Sequence, residues 1–82
     1  MKNNILYQLL NKQVANQEIA PLKVEISNLK DQLAATDYKV IKCAEYSLAK
    51  LDSPYNIEEL HAERQELRDK INALENKIAS ME

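Results

Sequence analysis

The fold is decided by residues 56–81, which read NIEELHAERQELRDKINALENKIASM. Apolar side chains recur there at alternating steps of three and four residues, with Arg64 filling the one polar gap. Such a heptad repeat is typical of a helix that packs lengthwise against another helix. The positions of the repeat are Ile57, Leu60, Arg64, Leu67, Ile71, Leu74, Ile78 and Met81.

The start of this helix is also encoded locally. Asn56 is followed three residues later by Glu59, a version of the capping box that satisfies free N–H groups at a helix N-terminus. Ser53-Pro54 offers a competing start one turn earlier, because proline is favoured at the first helical position. We therefore predict a turn over residues 52–56 and a helix over about 56–81.

A second apolar stripe precedes the turn. It begins as a regular heptad through Ile19, Leu22, Ile26, Leu29 and Leu33. It then continues less regularly, with one stutter, an extra step of four residues that locally unwinds the heptad seam. This pattern predicts one helix over about 22–51, with two helices meeting at Ala35-Thr36 as the alternative. The later positions are Asp37, Ile41, Ala44, Leu48 and Leu51.

Folding the chain at the predicted turn gives an all-α protein, a long antiparallel helical hairpin or coiled coil. Leu48 then lies opposite Leu60, Ala44 opposite Arg64, and Asp37 close enough to Arg68 for an ion pair. A parallel homodimer is the rival geometry, since opposite charges flank the heptads. The predicted seam of the hairpin or oligomer comprises Ile26, Leu29, Leu33, Ile41, Leu48, Ile57, Leu60, Arg64, Leu67, Ile71, Leu74 and Ile78.

Residues 1–20 form a predicted amphipathic helical arm, separated at Pro21 from a hairpin over residues 21–82. A kinked continuous helix through Pro21 is the alternative. The apolar face of the arm either packs within a homo-oligomer or docks on a different protein, so it is our candidate for partner binding. Its members are Ile5, Leu6, Leu9, Leu10 and Val14.

Composition restricts the chemistry. The 82 residues carry a net charge of -2, one cysteine and no glycine. These features argue against a disulfide framework, a glycine-rich phosphate loop and a basic surface for nucleic acid, and no apolar run reaches the length of a membrane span. Cys43 is expected to be a small buried residue, and His61 a solvated one. We therefore predict no enzyme activity, no catalytic residues, no metal site and no cofactor.

Half of the chain resembles a known type of segment. The stretch TDYKVIKCAE at residues 36–45, Pro54-Tyr55, and HAERQELRDKINALE at residues 61–75 resemble a small helical segment in tail-associated and other accessory proteins of phages and prophages. The resemblance implies a phage context and a structural or adaptor role. It implies no catalytic residues.

Two functional hypotheses follow. The first is an oligomeric structural or assembly component of a phage tail or tail-like particle. The second is a small phage-encoded inhibitor that binds a host defence complex such as a CRISPR effector. Both require protein partners, and both place the chain in the cytoplasm of a bacterial host or in a phage particle.

Overall fold

The computed structural model describes the backbone of residues 2–82 and the side chains of residues 17–82. Helix α1 spans Lys2–Leu48 and helix α2 spans Ile57–Met81. The two pack along each other as a hairpin of 71 × 16 × 15 Å. The prediction of an all-helical chain folded into a hairpin is confirmed.

Helix α1 passes through both positions at which the sequence suggested a boundary. Pro21 lies inside the helix, and the chain remains helical at Thr36. The exposed position of Pro21 directs its ring away from α2, while Ile19 before it and Ile26 after it are both buried. Core packing on both sides therefore keeps one helical phase, even though proline removes a backbone hydrogen bond. The proposed break between residues 20 and 21 is not a helix boundary.

The core is a single seam between the two helices. Each buried side chain is separated from the next by three or four residues, the spacing of one face of a helix. Burial in this seam, worth about 25 cal/mol per Å² of apolar surface, is the main stabilising term for so thin a fold. The cluster contains Ile19, Leu22, Ile26, Leu29, Leu33, Leu67, Ile71, Leu74, Ile78 and Met81.

The register near the turn differs from the predicted one. After Leu33 the buried face of α1 continues without a stutter through Thr36, Val40 and Cys43, which are half-buried or buried. Thr36 precedes Ala44, the expected neighbour of Arg64, by about two helical turns. The apolar side chains at the wrongly assigned positions are instead exposed: Ile41 by 66%, Leu48 by 86%, Leu51 by 62% and Ile57 by 50%.

Asn56 caps helix α2 as predicted. Its backbone is extended, with φ -78° and ψ 109°, and its Oδ1 accepts hydrogen bonds from the N–H groups of Glu58 at 3.0 Å and Glu59 at 3.1 Å. These two N–H groups have no carbonyl partner within the helix, so the cap stabilises the first turn by about 1 kcal/mol. Two carboxylates in that turn also face the positive end of the helix dipole.

Helix α1 ends three residues earlier than predicted because the chain reverses in a Schellman motif. The Leu51 N–H donates to the Tyr46 carbonyl at 2.8 Å, and the Lys50 N–H donates to the Ser47 carbonyl at 3.1 Å. Lys50 occupies the left-handed position of the motif, with φ 58°. Glycine is the usual residue there, since a Cβ atom costs about 1–2 kcal/mol in that conformation.

We predict that Lys50→Gly raises the free energy of unfolding by about 1 kcal/mol, the conformational cost less the greater freedom of glycine in the unfolded chain. Urea denaturation followed by circular dichroism measures the change. The matched control is Lys23→Gly, at an exposed position inside α1, which should lower stability by about 1 kcal/mol. Equal losses from both variants would contradict this account of the turn.

Candidate functional site

A polar layer interrupts the apolar seam at Arg64. One guanidinium nitrogen, Nη1, donates to the Leu33 carbonyl at 2.8 Å and to the Thr36 hydroxyl at 2.6 Å. The other, Nη2, pairs with the Asp37 carboxylate at 2.8 Å. The side chain of Arg64 is only 12% exposed, so these acceptors replace the water that it loses.

The structure gives Asp37 a different partner from the one that the sequence suggested. Asp37 pairs with Arg64, whereas Arg68 Nη1 lies 3.4 Å from the Gln65 amide oxygen on its own helix. The Asp37 side chain is 60% exposed, and an ion pair with such access to solvent contributes about 0–1 kcal/mol. The contacts to Leu33 and Thr36 are therefore the stronger part of the layer. Sequence reasoning missed Thr36, although it continues the heptad three residues after Leu33.

We predict that Thr36→Val lowers the free energy of unfolding by about 1–2 kcal/mol, because it removes an acceptor from a mostly buried cation. Arg64→Met in the same chain should recover most of that loss, since an apolar layer leaves no cation to satisfy. Asp37→Asn, the control for the exposed contact, should cost less than 1 kcal/mol. Denaturant titrations of the single and double variants give the coupling free energy between positions 36 and 64. If the two substitutions lower the free energy of unfolding additively, the contact between these residues is contradicted.

A second polar network holds the turn against α1. The Ser53 hydroxyl donates to Cys43 Sγ at 3.0 Å and accepts from the Tyr55 N–H at 3.2 Å. The Cys43 Sγ lies 3.9 Å from the Tyr55 carbonyl, and Cys43 is buried. The thiol therefore serves as a packed anchor for the turn.

Tyrosine and lysine side chains cover one side of the hairpin near the turn. The rings of Tyr38 and Tyr55 meet edge to face, with centroids 6.2 Å apart. Lys39 Nζ lies 5.2 Å from the centre of the Tyr55 ring, and Lys42 Nζ lies 5.9 Å from that of Tyr38. A hydrogen bond with the Tyr38 side chain raises the pKa of Tyr55 above its usual 10.0. Desolvation makes a smaller contribution in the same direction.

We predict that Tyr38→Phe returns the pKa of Tyr55 towards 10.0. Because the folded chain holds this proton more tightly than the unfolded chain, the contribution to stability is complete below pH 10 and is lost as the pH rises through the folded-state pKa. Tyrosinate absorbance, titrated in a Tyr7→Phe, Tyr46→Phe background, measures the change. A midpoint of Tyr55 that stays as far above 10.0 without Tyr38 as with it would exclude Tyr38 as the cause.

The candidate functional site is an exposed apolar surface beside the turn, called here the tip surface. Ile41, Ala44 and Leu48 form one stripe along α1, because residues three and four apart are neighbours on a helix. Leu51 and Ile57 line an adjoining groove of about 540 Å³ that opens between the end of α1 and the start of α2. The tip surface comprises Ile41, Ala44, Leu48, Leu51 and Ile57, with the half-buried Val40 at its border with the seam.

The other predicted contact lies outside the described side chains. It is the apolar face of the N-terminal arm, made of Ile5, Leu6, Leu9, Leu10 and Val14, and it stays a prediction. Within residues 17–82, no three side chains of His, Cys, Asp or Glu are placed to share a metal ion. Neither helix, over its described residues, has the length and apolarity needed to cross a membrane.

Comparison with known proteins gives no match. No family model, curated protein or solved structure matches the chain. The resemblance to phage accessory proteins therefore gains no support from relatives.

Proposed function

We propose that the chain is a non-enzymatic protein–protein interaction module and a structural or assembly component of a phage tail or tail-like particle. The observation that carries the proposal is the tip surface, where four large apolar side chains are half or more exposed at one end of an elongated hairpin. A contiguous exposed apolar patch of this kind is typical of a binding surface, whereas single exposed apolar residues are common.

The hairpin suits such a role mechanically. Its seam, the Asn56 cap and the polar layer at Arg64 fix the turn relative to both helices, so the tip surface is presented in one arrangement. A preorganised surface loses little conformational entropy on binding, and the affinity is greater for that reason. The phage context comes from the sequence resemblance alone.

Self-association is part of the same proposal, through the apolar face of the N-terminal arm. A helical stripe of this kind needs a cover in water, and a second copy of the arm supplies one. Sedimentation equilibrium of the full chain tests this directly. A folded monomer over a wide concentration range would exclude it.

We predict that a Leu48→Glu, Leu51→Glu variant is lost from particles while the hairpin stays folded, because both side chains are exposed. Tagged chains are expressed in the bacterial strain that carries the gene. Phage tails or tail-like particles are then purified from these cells on a density gradient. Val24→Glu is the matched control, an isolated α1 residue with 61% exposure, and it should be retained.

The same experiment separates the two functional hypotheses. Wild-type chain that sediments with tail proteins supports the structural role. Wild-type chain that is absent from particles, and that instead forms a stable complex with a host defence effector, overturns that role in favour of the inhibitor. Equal retention of both glutamate variants would show that the tip surface is not the contact.

A further inference from the structure

We propose that the partner of the tip surface is an amphipathic helix with an apolar stripe flanked by lysine or arginine, an inference that rests on the proposed interaction function. The distribution of charge around the surface points to this chemistry. Its apolar residues are bordered by carboxylates, and the lysines of the adjacent α1 segment lie on the opposite side of the helix.

Three exposed carboxylates border the tip surface. Glu45 is four residues after Ile41 and three before Leu48, so it flanks the stripe on α1. Asp52 lines the groove between the helices. Glu58 follows Ile57 in the first turn of α2 and is exposed.

The lysines nearest to the stripe point elsewhere. Lys39 and Lys42 lie on the side of α1 opposite Ala44, since each residue turns the helix by about 100°. Their ammonium groups lie over the rings of Tyr55 and Tyr38. Within residues 39–58 the one other cation is Lys50, between Leu48 and Leu51, and the three carboxylates outnumber it.

This arrangement selects one kind of partner. The stripe and groove together offer the elongated apolar contact that an amphipathic helix fills with side chains at positions i, i+3, i+4 and i+7. Carboxylates at the border favour cations on the flanks of that helix and disfavour acidic ones. They also disfavour an anionic membrane surface, which attracts basic residues and repels acidic ones.

The probe is a synthetic helix of about five turns with a leucine stripe and lysine flanks, labelled for fluorescence anisotropy. Two reference peptides change one property each: glutamate replaces the flanking lysines in one, and alanine replaces the leucines in the other. The full-length chain should bind the leucine–lysine peptide and bind neither reference peptide measurably. Its affinity should fall as salt is raised, because the flanking charges are solvent-exposed.

Variants of the chain locate the contact. A triple variant that neutralises the bordering carboxylates should bind the peptide about tenfold more weakly and with less salt dependence. Its substitutions are Glu45→Gln, Asp52→Asn and Glu58→Gln. The control neutralises three exposed acids of α1 outside the tip surface, Glu18→Gln, Glu25→Gln, Asp31→Asn, and should leave affinity unchanged despite the same change in net charge. Leu48→Glu should abolish binding, and circular dichroism checks that each variant is folded.

The outcomes are distinct. Equal binding of the alanine–lysine peptide, or equal weakening by both triple variants, means that net charge alone attracts the probe, and the proposal is wrong. Preference for the leucine–glutamate peptide overturns the predicted partner chemistry. A further outcome is that the chain binds none of the peptides while the Leu48→Glu, Leu51→Glu variant is still lost from particles. That result would keep the tip surface as the docking site and exclude a basic helix as its partner.

Discussion

The register of the hairpin depends on the hydrogen bonds of one mostly buried cation, Arg64. A guanidinium that is nearly removed from water needs acceptors, and α1 supplies them here through the Leu33 carbonyl and the Thr36 hydroxyl. Opposite Ala44, Arg64 would meet a methyl group and lose several hydrogen bonds. A charge-assisted hydrogen bond contributes about 1.5–3 kcal/mol, comparable with burying a whole leucine side chain. Hydrogen bonding of Arg64 therefore favours the observed register, in which Val40, Cys43 and Leu60 occupy the seam near the turn.

The tip surface follows from that choice. With Thr36 opposite Arg64, the heptad phase carries Val40 and Cys43 into the seam and turns Ile41 and Leu48 outwards. Cys43 then meets Ser53, which fixes the path of the turn and leaves an open groove beside it. The same apolar residues that would close a longer seam are consequently available to another molecule. A mostly buried polar contact near the middle of the hairpin thus determines which apolar side chains are exposed at its end.

The sequence predicts some elements of this fold well and others poorly, for physical reasons. The cap at Asn56 and the heptad of α2 are local signals; the cap matches the structure, and the heptad matches it from Leu60 onwards, whereas Ile57 is exposed. The register near the turn depends on a contact between residues distant in sequence, and a search for apolar side chains favours Ile41 over Thr36. The end of α1 was missed because Lys50 occupies a position that glycine normally marks. The pairing of Tyr38 with Tyr55 likewise has no periodic signal.

The arrangement of carboxylates around the tip surface likewise cannot be predicted from the sequence. Charges on a single helix can be assigned to faces from their spacing, but Asp52 lies in the turn and Glu58 on α2, so their positions relative to the stripe on α1 depend on the fold. The segregation of Lys39 and Lys42 depends on tyrosine rings that the turn brings into place. Net charge, at -2, conceals this polarity because it averages over both sides of the hairpin. Recognition by complementary charge acts over about 8–10 Å at physiological salt, so the local arrangement governs which helix the surface selects.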